Sequence, residues 1–341
     1  MASKFSHLPD ISTIQPDRLI KYRVSEDRFS AEVLLPGLSY TDFDQKIGGK
    51  VSLWSLGKVC ESARWQGMIH GLTYHPELRK VHLRSLAKIC ECVRSVAYTK
   101  GFTYFSERHC KTGVVAFVVC QLFSFTREAH YLRKWNNFGL NKPQRFLLHL
   151  SQAGKTSYTT NIDWFDSNNK KIGNFLIKLI GADEKTRRPV ALPEYFFKDI
   201  QSHFANIQTQ TMEKVELPKI PSKAFCLNVK ALYSDCDEYD HVNQAIYLEW
   251  CSDVASEVAV NGHFSFFKKH IEFYPLKSME MYYNGEGLLK DELAVNVWEC
   301  ETDNACLLFA IQKERSIIFH MKMTFYKDEQ DTSTSGVTSK M

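Results

Sequence analysis

The sequence predicts an α+β chain built from two copies of one unit, each a long helix wrapped by an antiparallel sheet. Three observations carry this. A length of 341 residues suits two domains better than one. A helix-period run around residue 250 is followed only by strand-like runs. The first half repeats the same order of strand, polar turn, helix and strands, less tidily.

In the second half, residues 224–233 (AFCLNVKALY) read as a strand and 234–241 (SDCDEYDH) as a polar turn. Ile246, Trp250, Val254 and Val258 then recur at i+4, with Ala245, Ala255 and Ala259 beside them. This pattern predicts a helix of about five turns. Strand-like runs follow at 278–283, 291–298, 306–312 and 316–326.

In the first half, 29–35 reads as a strand, a polar turn carries Asp42 and Asp44, and a helix is expected over about 51–68. Strands are expected at 114–123, 157–164 and 171–180. The predicted division is an N-terminal extension (1–23), a first unit (24–205) with an insertion at about 70–112, a linker (206–223), a second unit (224–328) and a disordered tail (329–341). The linker is polar, has two prolines and lacks an amphipathic period. The tail is a short Ser/Thr/Asp-rich polar stretch.

Composition narrows the function. The net charge is only +4, and no Lys/Arg block appears, so nucleic acid is not an expected partner. Arg187-Arg188 reads as a solvated turn. The ten cysteines are scattered, several in apolar or helical runs (Cys60, Cys120, Cys251), which predicts reduced, buried thiols. Cys90 and Cys92 form the one close pair, with no second pair to complete a zinc site. Neither a metal nor a cofactor is expected. Residues 1–22 lack the apolar core of a secretory leader, and no run is long enough to span a bilayer. Ser339-Lys340-Met341 is a near variant of the Ser-Lys-Leu peroxisomal address. It gives an expected location of peroxisome or cytoplasm, with an import receptor as partner.

The stretch from Asp235 to Trp250 concentrates the chemistry. Asp237, Asp240, His241 and Asn243 stand just before a predicted helix. A helix start carries partial positive charge and unpaired N–H groups, a favourable place for a developing oxyanion. Acids and bases gathered there point to chemistry on a carbonyl.

That stretch resembles the signature of hotdog-fold thioesterases: Asp-x-Asp, then His-Val-Asn-x-x-x-Tyr on the hotdog helix. A chain with two such units resembles plant acyl-carrier-protein (ACP) thioesterases, and is also similar to hotdog proteins of the 4-hydroxybenzoyl-CoA thioesterase kind. Residues 183–194 (DEKTRRPVALPE) add a second match, to the segment that follows a thioesterase hotdog's last strand. The resemblance implies tandem hotdogs packed as an intrachain pseudo-dimer. It implies an acyl thioester hydrolase acting on fatty acyl-CoA or acyl-ACP, with Asp237 as catalytic carboxylate, His241 as catalytic or positioning histidine, and Asn243 opening the helix. The plant enzymes' Glu-Cys pair falls here on Glu286-Gly287, so the Glu is kept and the Cys is lost. Their Asn two residues before the His is Tyr239.

Backbone N–H groups of Asn243 and Gln244 are the expected oxyanion donors, with Asp237 as base or nucleophile and Glu286 as a second carboxylate. In the first unit Asp44 is kept, and the histidine position reads as Gly49, which predicts one intact and one degenerate site. Asp235 and Asp240 are expected as turn or cap residues, and Ile246, Tyr247 and Trp250 as core. Two alternatives stay open: a non-catalytic acyl-thioester binding protein, and a hotdog hydratase or dehydratase. A homo-oligomer is open as well.

Overall fold

The computed structural model describes residues 4–17, 19–27, 29–37, 51–69, 114–132, 142–183, 185–191, 215–237 and 240–327. Asp42, Asp44, Gly49, the insertion 70–112, Tyr239 and Ser339-Lys340-Met341 lie outside the described residues.

The chain forms two hotdogs sharing one sheet. The first holds β1 (Lys21–Val24), β2 (Ser30–Leu35), α1 (Leu53–Ile69), β3 (Val114–Phe125), a short α2 (Arg127–Leu132), β4 (Gln144–Ala153), β5 (Ser157–Phe165) and β6 (Lys171–Asp183). The second holds β7 (Phe225–Lys230), α3 (Gln244–Val260), β8 (Leu276–Tyr283), β9 (Glu292–Glu299), β10 (Cys306–Lys313) and β11 (Ser316–Phe325). The eleven strands run in the order β1-β2-β4-β5-β6-β3-β8-β11-β10-β9-β7. The seam is the antiparallel pair β3–β8, with Leu122 opposite Glu280 and Ser124 opposite Ser278.

Each element has a local cause. Along β4 burial alternates for most of its length, as expected of a strand with one face on a core. Phe146, Trp164 and Phe175 stack beneath that face. Helix α3 is buried over most of its circumference, because the sheet wraps one side and α1 lies against the other. Gly57 of α1 faces Ala245 and Leu248 of α3, and even a Cβ there would only reach ordinary contact, at 4.0 and 3.9 Å. At its C-terminus Gly262 (φ 79°) donates to the Ala259 carbonyl and His263 to that of Val258. This Schellman pairing needs the left-handed residue that glycine supplies.

Three differences from the sequence reading stand out. The boundary at residue 23 falls inside β1, and the preceding stretch packs on the first hotdog through buried Phe5 and Ile11. Strand β4 and helix α2, neither anticipated, complete the first unit. The second unit's opening strand stops at Lys230, where a 3-10 turn over Tyr233–Asp235 takes over. The described part of the linker, 215–223, holds no helix or strand.

Candidate active site

The turn before α3 folds back on itself. Asp235 receives the Leu232 N–H on its carboxylate at 2.8 Å, and its carbonyl receives the Asn243 N–H at 2.8 Å. Asp237 N–H donates to the His241 carbonyl at 2.8 Å, and His241 N–H returns to Asp237 Oδ1 at 3.2 Å. Asp240 closes the loop at φ 59°, a left-handed conformation that Asp tolerates better than most residues. Asp235 and Asp240 are thus turn formers, and Asp237 and His241 are held side by side.

A second loop is stitched onto the first. Val242 N–H donates to the Gly287 carbonyl at 2.9 Å, and Leu289 N–H to that of Asp240 at 3.1 Å. The stitching sets Glu286 Oε2 at 3.2 Å from His241 Nε2. The imidazole is nearly buried and the carboxylate half-exposed, so the pair spans the edge between core and solvent.

Asn243 caps α3: its Oδ1 accepts the Ala245 N–H at 2.9 Å. Its own N–H is engaged by Asp235. Of the two expected oxyanion donors, Asn243 is therefore corrected to a cap. Gln244 remains, with a first-turn N–H that its helix leaves without an acceptor.

The first hotdog reaches into this site. Gln121 of β3 donates to Gln244 Oε1 at 2.8 Å, and Tyr283 Oη lies 3.2 Å from both Gln121 Oε1 and the Gln244 carbonyl. Phe117, also on β3, stacks on the His241 ring (centroids 5.7 Å apart, planes at 21°). Arg187 lies with its guanidinium carbon 5.4 Å from the Phe117 ring centre. Sequence reasoning missed Phe117, Gln121 and Arg187 as site residues. A polar Gln121 within an apolar strand was the one available signal.

Two neighbours shape the electrostatics. Burial, with Asp235 and Asp237 on either side, pushes the Cys236 thiol up and keeps it protonated. Tyr247, expected as core, is buried, and its hydroxyl accepts the Gly287 N–H at 2.7 Å. Burial pushes that phenol up to about 12, so it stays neutral. Position 287 is crowded: a Cβ on Gly287 would stand 3.0 Å from Tyr247 Oη and 3.1 Å from Val242.

The start of α1 differs. Ser52 Oγ accepts the Ser55 N–H at 3.2 Å, which makes Ser52 the cap and aligns Val51-Ser52-Leu53 with Val242-Asn243-Gln244. The Leu53 N–H, counterpart of the Gln244 N–H, donates at 2.9 Å to Glu272 Oε1, a buried carboxylate of the second hotdog. A carboxylate of the chain itself thus occupies the N–H that corresponds to that of Gln244.

Residues 219–327 match the family model described as the acyl-ACP thioesterase C-terminal domain. No curated protein matches the chain by sequence. Among solved structures, an acyl-ACP thioesterase from Bacteroides thetaiotaomicron superposes with a TM-score of 0.58 at 15% identity, covering 89% of this chain and 100% of that one. A 12:0-ACP thioesterase from Umbellularia californica gives 0.57 at 11% identity, covering 91% and 98%. At these identities the likeness establishes the fold, a double hotdog. The matched model, over the second hotdog, is that of a thioesterase domain.

Proposed function

We propose, from a double hotdog whose residues 219–327 match the acyl-ACP thioesterase C-terminal domain, that the chain hydrolyses fatty acyl thioesters of ACP or CoA at one site. That site lies at the start of α3. The observation that carries this reading is the convergence of Asp237, His241 and Glu286 at the turn that opens α3.

Thioester hydrolysis needs a polarised carbonyl, an activated water and a departing thiolate. The Gln244 N–H, aided by the helix dipole, binds the oxyanion as water adds to the carbonyl carbon. Asp237, fixed by the His241 N–H, takes the proton of the attacking water. His241, held by Glu286 and stacked on Phe117, lines the water's approach. The C–S bond then breaks, and the thiolate, from a thiol of pKa about 8.5, leaves and takes up the proton. Asn243 serves as cap, which keeps the oxyanion donor in place.

Hydrolysis of acyl-ACP and acyl-CoA over a series of chain lengths, read as thiol release, tests the proposal. Asp237→Asn is expected to lower kcat by about a hundredfold or more, the usual contribution of a general base. His241→Ala is expected to lower it comparably. Tight acyl-thioester binding without thiol release would overturn hydrolysis in favour of a binding protein. Hydration of an enoyl thioester would favour the hydratase reading.

A further inference from the structure

We propose that Arg187, supplied by the first hotdog, binds the 4′-phosphate of the phosphopantetheine arm that ACP and CoA thioesters share. The inference rests on the thioesterase reading above. It begins with an anomaly: Arg187 Nη1 is buried and has no hydrogen-bond partner. A buried guanidinium N–H left unpaired is costly, and such groups normally find an acceptor. The sequence suggests a solvated turn here. The structure lays the guanidinium over Phe117, the ring that stacks on His241.

The turn is built to hold this side chain. Arg187 sits at φ 58°, a conformation a glycine would adopt more easily. Its N–H donates to the Asp183 carbonyl at 2.8 Å, and the Asp183 carboxylate is engaged by the N–H groups of Lys185 and Thr186. The Ala182–Pro189 bridge and the bond from Val190 N–H to the Gly181 carbonyl pin the turn to the end of β6. Lys185 and Arg188, exposed on the same turn, add positive charge.

Distance is compatible with this ligand group. The centroid separation of 5.7 Å and the cation–ring distance of 5.4 Å limit how far the guanidinium lies from the imidazole: no further than their sum. A pantetheine arm joins sulfur to phosphate through about a dozen bonds, about 15 Å when extended by backbone dimensions. With the thioester beside His241, an arm running along Phe117 carries its phosphate to the guanidinium. A planar, always-charged fork suits a phosphate, and ring stacking presets its orientation.

Two synthetic thioesters with the same acyl group, one on 4′-phosphopantetheine and one on pantetheine, isolate the phosphate. The wild-type chain is expected to favour the phosphorylated substrate through KM. Arg187→Gln is expected to raise that KM about tenfold relative to the KM of the pantetheine substrate, the size of one charge-assisted hydrogen bond. Arg187→Lys keeps the charge without the planar face and is expected to fall between; it also serves if the Gln variant does not fold. Phe117→Leu removes the ring under the guanidinium and beside the imidazole; it is expected to slow both substrates and to raise KM most for the phosphorylated one. Equal loss on both substrates in Arg187→Gln, or no wild-type preference, would overturn the assignment. If the wild-type chain hydrolyses neither substrate, the thioesterase reading fails first and takes this one with it.

Discussion

Glu272→Ala is expected to destabilise the protein by about 3 kcal/mol through an element more than two hundred residues away in sequence. The carboxylate is 2% exposed and accepts the Leu53 N–H at 2.9 Å, at the start of α1. A hydrogen bond to a charged group contributes about 1.5–3 kcal/mol. A negative charge at a helix start adds about 0.3–1 kcal/mol at the surface and up to about 2 in partly buried settings. The two effects overlap, so about 3 is the working sum. Glu272→Gln keeps an acceptor oxygen without the charge and is expected to lose about half as much. Urea unfolding supplies the global value, and amide hydrogen exchange the local one. Exchange is expected to quicken across the first turn of α1 and not across that of α3. If both variants unfold within about 0.5 kcal/mol of wild type, an ordinary surface effect, the cross-hotdog cap contributes nothing.

Other outcomes follow from the same geometry. Gly287→Cys is expected to destabilise by about 1–3 kcal/mol, because its Cβ would crowd Tyr247 and Val242; unchanged stability with a reactive new thiol would contradict this. Gln121→Ala is expected to lower kcat about fivefold, one ordinary hydrogen bond, by loosening Gln244 at the helix start; steady-state rates check it. Burial holds the His320 imidazole below its ordinary pKa, with Nδ1 bonded to Asn284 and Nε2 unpaired. The unfolded chain therefore binds the proton more readily, and this residue's effect makes stability fall as pH drops below about 6.5. His320→Phe, which keeps a ring on Tyr282, is expected to flatten that limb in urea midpoints between about pH 7 and 5. A limb as steep as wild type would assign the acid sensitivity to other groups.

The parts legible in the sequence were those written in local pattern. The i+4 recurrence from Ile246 to Val258 gave α3, and the alternation of 291–298 gave β9 within a residue at each end. The nearness of His241 to Asp237 and Glu286 was readable because a short motif and one loop carry them. Strand β4 was not anticipated: its burial alternates, but polar positions (Arg145, His149, Gln152) interrupt its apolar run. The missed site residues have a different cause. Phe117 and Gln121 reach α3 and its turn from β3, with Arg187 packed on Phe117, and no periodicity reports which residues of one unit will face the other. The same holds for Glu272, whose partner Leu53 is fixed by tertiary packing alone.

Glu272 also bears on why two such units are worth joining in one polypeptide. In a symmetric homodimer every substitution appears twice, so a carboxylate that quenches one helix terminus quenches its twin as well. Fusion lifts that constraint. Here one terminus is given over to rigidity without its counterpart following, which leaves the start of α3 for the proposed hydrolysis. The unequal halves then amount to a division of labour that an unlinked pair of identical subunits has no means to encode.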